Sequence, residues 1–223
     1  LSVRCTIGLG GALLVLGACA PASPPPPAPP GRDPAAAAEL DSLYRARVEA
    51  ARARFSEADV RFMQGMIAHH TQALIMSEMA PSHGASPAVL TLTARTINAQ
   101  SDEIATMRRW LEDRDQPVPE IHIMGTSLMV MGADHDMAHM PGMLSDEQMQ
   151  GLDAARGRDF DRLFLTYMIQ HHSGAVTMVH ELFATDGAAQ GDEVFKIASD
   201  IQADQTSEIR RMQSMLDALP DRP

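Results

Sequence analysis

The chain has 223 residues, 45% of them hydrophobic but only 4% aromatic, and Ala, Leu and Met supply much of the apolar content. That balance favours helices over a sandwich of aromatic and β-branched strands, and the length, less a leader and a linker, allows one ordinary domain or two small fused halves. A formal net charge of −11 argues against nucleic acid and anionic lipid surfaces as partners and suits cations.

Residues 1–19 read as a lipoprotein signal peptide. Arg4 precedes an apolar run from Thr6 to about Ala18, too short for the roughly 20 residues of a membrane-spanning helix. The run ends Leu16-Gly17-Ala18-Cys19, similar to a lipobox, in which cleavage leaves Cys19 as a lipid-bearing N-terminus. The expected location is the cell envelope, on the periplasmic face and touching the membrane only through the lipid. Ala20 lacks the Asp of an inner-membrane retention signal, which points to the outer membrane where the cell has one. With Cys5 in the leader and Cys19 lipidated, the mature domain has no thiol, so disulfides and thiolate metal sites are excluded. Residues 20–34, rich in Pro and Ala, form a polyproline spacer, and residues 35–55 read as an N-terminal helix.

Residues 56–220 carry an internal repeat. Asp59, Phe62, Met66, Ile67, His69, His70, Ala73 and Met76 align without a gap on Asp161, Phe164, Met168, Ile169, His171, His172, Ala175 and Met178. Further on, Val89, Gln100, Glu103, Ile104 and Met107 match Val194, Gln205, Glu208, Ile209 and Met212. Helix starts are marked by Ser56 with Asp59, by Ser86-Pro87, and by Ser145 with Gln148. Each half, 56–115 and 145–220, is therefore expected to be a helical hairpin. Two such hairpins bury their apolar stripes against each other, giving an all-α four-helix bundle with a Met-rich crossover at 116–144.

Within that frame, Met66, His69, His70 and Ala73 share a helix face, with Met76 two turns beyond His69; Met168, His171, His172, Ala175 and Met178 repeat the arrangement. Imidazole nitrogen and thioether sulfur together suit copper, and the thioether favours Cu(I) and with it Ag(I), with Cu(II) as a further candidate. One such histidine pair could be plain packing; its recurrence in the same methionine frame favours a ligand role. Gln100, Glu103, Gln205 and Glu208 interrupt core-facing stripes, either to support the histidines or to reach water. The crossover holds Met124, Met129, Met131, His135, Met137, His139, Met140 and Met143. Of these, Met137, His139, Met140 and Met143 are candidate ligands, and a Met-lined flap over the bundle is the competing reading.

The doubled Met-Ile-x-His-His pattern with its Ala and Met, together with Met140-Pro141-Gly142-Met143, resembles the domain of unknown function three-hundred-and-five family over about Phe55 to Leu219. The resemblance implies a ferritin-like helical bundle and an exported copper- or silver-binding protein, with His69, His70, His171 and His172 and Met66, Met76, Met168 and Met178 as ligands. The function expected is non-enzymatic: copper sequestration, delivery or metal tolerance. A di-metal oxidase would want Glu-x-x-His motifs on two helices, and none occurs. An envelope scaffold whose histidines merely pack is the other alternative.

Overall fold

The computed structural model describes residues 33–131 and 140–220. The leader, the lipidation site at Cys19, most of the spacer, and His135, Met137 and His139 lie outside the described residues. The described residues fall into two units, divided between Asp41 and Ser42. What is described of the first is the start of α1 (Pro34–Arg52), an exposed helix with no buried side chain, whose first turn is capped by Asp33 Oδ1 accepting from the Ala35 amide (3.0 Å). No described helix is long and apolar enough to cross a membrane.

In the second unit, α2 (Glu57–Glu78) packs on α3 (Pro87–Glu112), α5 (Gly157–Ala184) packs on α6 (Asp192–Asp217), and the pairs meet through α2 and α5. The all-α bundle of two hairpins is thus the observed architecture. The local starts are those the sequence marks. Ser56 and Asp59 make a full capping box on α2, Ser86 caps α3 ahead of Pro87, and Ser145 with Gln148 boxes the short helix α4 (Asp146–Ala154).

The crossover is more structured than a flap. It contains an antiparallel hairpin, β1 (Glu120–Met124) and β2 (Ser127–Met131), with His122 opposite Met129 and Ile121 opposite Val130. Gly125, at φ +65, takes the first central position of the two-residue turn, where only glycine enters the left-handed region without strain. Ile121, Ile123 and Val130 around that glycine are a strand signal that the methionine density masked in the sequence.

The core is divided in two along the bundle. One apolar cluster joins Phe62, Met66 and Ile67 of α2 to Ala175, Met178 and Val179 of α5. The other joins Ala73 and Met76 of α2 to Phe160, Phe164 and Met168 of α5. Early α2 therefore packs on late α5 and late α2 on early α5, so the central helices run antiparallel. The His-His pairs fall between the clusters, at residues 69–70 and 171–172, as a polar layer across the middle of the bundle. The repeat also explains its first shared residue. Asp59 Oδ1 accepts from the Ala189 amide (2.7 Å) in the α5–α6 loop, and Asp161 accepts from the Ser86 amide (3.1 Å) in the α2–α3 loop. Each half thus ties down the loop of the other through a buried carboxylate.

Candidate metal centre

All four histidines of the repeat are fully buried. The rings of His69 and His171 face each other across the α2–α5 contact with centroids 3.8 Å apart and a 35° tilt. The duplicated pairs therefore meet at the middle of the bundle. His70 and His172 turn outward to the flanking helices, where Nε2 lies 2.7 Å from Glu103 Oε2 and 2.6 Å from Glu208 Oε2. The carboxylates that interrupt the stripes of α3 and α6 are partners of the histidines, one in each half.

These partners set the tautomers. A carbonyl or carboxylate oxygen accepts, so His69 donates from Nε2 to Pro141 O (3.0 Å), and His70 and His172 donate from Nε2 to their glutamates. In the neutral ring this leaves a lone pair on Nδ1 of each. Nδ1 of His69, His70 and His172, and both ring nitrogens of His171, are buried without a hydrogen-bond partner. Gln100 and Gln205, one turn before the glutamates, are also buried and have amide atoms without partners. Buried nitrogens left this way are costly. His83 shows what a packed histidine looks like in the same protein: it is buried too, but its Nδ1 meets Ser82 Oγ (2.9 Å) and its Nε2 meets Asp153 O (2.9 Å).

The thioethers are placed around this layer. Met66, Met76 and Met168 are buried in the adjoining clusters. A Cβ built on Gly65 would lie 3.3 Å from both Met140 Sδ and Met178 Cε. Since Gly65 stands one turn before His69 on the same face of α2, Met140 and Met178 flank the His69 side of the layer. The segment that carries Met140 is strapped in place. Leu144 exchanges two hydrogen bonds with the buried Gln72 amide (2.8 and 3.1 Å), and Gly142, at φ +78, packs its backbone on Gly174 of α5. Met143, in the same segment, is half-buried. Among the described residues no three His, Cys, Asp or Glu side chains gather as a metal-binding group. Sequence reading missed Pro141 and Gly174; the Met-Pro-Gly-Met segment was visible, but nothing local says on which helix a loop carbonyl lands.

Burial governs protonation of the two central rings, His69 and His171. Desolvation first, then the charge of His70, pushes the His69 pKa down from 6.5 to about 3. Desolvation, then His69, holds His171 well below its ordinary value. The native state therefore keeps these rings neutral while the unfolded chain takes up protons below about pH 6.5. Their contribution to stability is complete above that pH and is lost as pH falls from about 6.5 towards 3. For His69 alone the loss at pH 5.5 is on the order of 1 kcal/mol. Urea unfolding of metal-free protein should show a lower midpoint at pH 5.5 than at pH 7.5. An unchanged or higher midpoint contradicts burial of neutral rings.

The family model described as Domain of unknown function (DUF305) matches residues 59–216. Among solved structures, the chain is similar to a DUF305 fragment from Deinococcus radiodurans, at 28% identity and TM-score 0.61, over 74% of this chain and 99% of that one. It is also similar to CopM in the Cu(I)-bound form, at 27% identity and TM-score 0.54, and in the Cu(II)-bound form, at 30% and 0.55, each over 71% of this chain and 95% of that one. A Ag-bound form of CopM matches at 28% identity and TM-score 0.53, over 71% of this chain and 95% of that one. No curated protein matches the chain.

Proposed function

The chain belongs to the DUF305 family, and from that premise we propose that it is an exported, non-enzymatic binder of copper-type ions, Cu(I) foremost and Ag(I) with it. The observation that carries the reading is the set of buried, unpartnered imidazole nitrogens, three of them on rings whose other nitrogen is held by a carboxylate or a carbonyl. Metal-bound histidines are oriented in this way, by an acceptor on the far nitrogen that fixes the tautomer and raises the basicity of the ligating atom. His69 and His171 are the central donors, with Met140 and Met178 beside them. His70 and His172, backed by Glu103 and Glu208, extend the layer, and Met66, Met76, Met168 and Met143 complete the thioether surroundings. The Cu(I)-, Cu(II)- and Ag-bound states of CopM support the choice of ion.

Only a ligand that prefers the native state raises its stability. Substoichiometric Ag(I), or Cu(I) under reductant, should therefore raise the melting temperature and saturate at a small whole number of equivalents. A melting temperature that ignores both ions leaves the histidines as packing and favours the scaffold reading. Stoichiometric iron with O₂ turnover would instead favour the oxidase. The role served is sequestration, delivery or tolerance at the envelope, with lipid on Cys19. Cys19→Ser should move the protein from the membrane to the soluble fraction, since the Pro-rich spacer has no membrane affinity of its own. A variant that stays with membranes defeats the anchor.

A further inference from the structure

We propose a second soft-metal site on the outer face of the β1–β2 hairpin, formed by His122, Met124, Met129 and Met131. It rests on the reading of the chain as a soft-ion binder, but it shares no residue with the histidine layer.

Side chains alternate along a strand, and the register assigns them to two faces. Ile121 and Leu128 pack against the two core clusters, so their face is the inner one. The opposite face presents Glu120, His122 and Met124 from β1 and Ser127, Met129 and Met131 from β2. His122 stands directly across from Met129, which brings their Cβ atoms to about 5 Å, while Met124 and Met131 flank that pair on opposite sides, Met124 diagonal to Met129 and Met131 diagonal to His122, each within reach of the pair's long side chains. Met124 is 59% exposed, Met129 50% and Met131 53%.

Three methionines exposed together on a short hairpin contribute little to the core. Packing, the usual reason for methionine, does not account for them. Flexible thioethers around one imidazole are instead a donor set for Cu(I) or Ag(I), which accept low coordination numbers and prefer sulfur. Glu120 Oε1 lies 3.6 Å from His122 Nε2 and adds negative charge beside the ring. The exposed position suits an ion that is taken up and released, whereas the buried layer suits one that is held.

The test uses the protein with [¹³C]methyl methionine and silver nitrate in chloride-free buffer, with methyl resonances assigned by single Met→Leu replacements. We expect the Met124, Met129 and Met131 methyls to shift together and to saturate within a separate equivalent of Ag(I). His122→Ala should weaken that equivalent by about tenfold or more while the shifts of Met140 and Met178 stay as they were. The side chains are exposed, and circular dichroism verifies that the fold is kept. Hairpin methyls that do not move at two equivalents of Ag(I), or that move equally in the His122→Ala protein, overturn the proposal. If the hairpin methyls respond and those of Met140 and Met178 do not, the histidine layer loses its role and the hairpin site stands; the reverse pattern removes the hairpin site and keeps the layer.

Discussion

Replacing both His69 and His171 by Ala is expected to lower affinity for Cu(I) by more than about a hundredfold, because removing even the groups that orient a ligand costs 10- to 100-fold and here two central donors are removed. The rings are in contact across α2 and α5, so each single variant should lose most of the tight site rather than half of the total. Two independent sites, one per half, would instead lose half the equivalents with each single replacement. Glu103→Gln and Glu208→Gln grade the effect, since each keeps the side-chain shape while weakening the acceptor on His70 or His172 Nε2. Competition with a chromophoric Cu(I) chelator, on variants shown to be helical, reads all of these. Unchanged affinity and stoichiometry in the double variant would remove the histidine layer from the binding reaction.

A second large effect is expected at Gly174. A Cβ there would lie 2.0 Å from Pro141 O and 2.5 Å from Gly142 Cα. These are backbone atoms of a segment held at Leu144 by Gln72, so they cannot swing aside as a flexible side chain would. Gly174→Ala should therefore displace the Met140–Met143 segment, break the His69–Pro141 hydrogen bond and cost about 1–3 kcal/mol, the range for overpacking a filled interior. The consequence for binding separates two roles of the segment. If Met140 is a ligand, Cu(I) affinity falls along with stability. If the segment only covers the layer, the denaturation midpoint falls while affinity is kept and metal exchange becomes faster. Gly151→Ala is the control, because a Cβ there meets nothing within 4 Å. A Gly174→Ala protein as stable as the parent would mean that the segment does not sit on α5.

The repeat, the helix starts and the pairing of helices into hairpins were legible in the sequence because they are local. Ser56 with Asp59, Ser86 with Pro87 and Ser145 with Gln148 act over a single turn, and a duplicated pattern of buried positions must be satisfied by two similar hairpins that cover each other. Residue type likewise named candidate donors, since in a domain without thiols imidazole and thioether are the side chains that suit copper-type ions. What the tertiary structure alone decided is which of these groups meet. Asp59 and Asp161 reach the loops of the opposite half, Glu103 and Glu208 pair with the second histidine of each doublet, and His69 meets His171 while giving its proton to Pro141. The hairpin register that sets His122 opposite Met129 is of the same kind. Sequence periodicity says which face of an element is buried. The partner on the far side depends on how separately formed elements dock, and that is fixed by packing across the whole bundle rather than by any residue's neighbours in the chain.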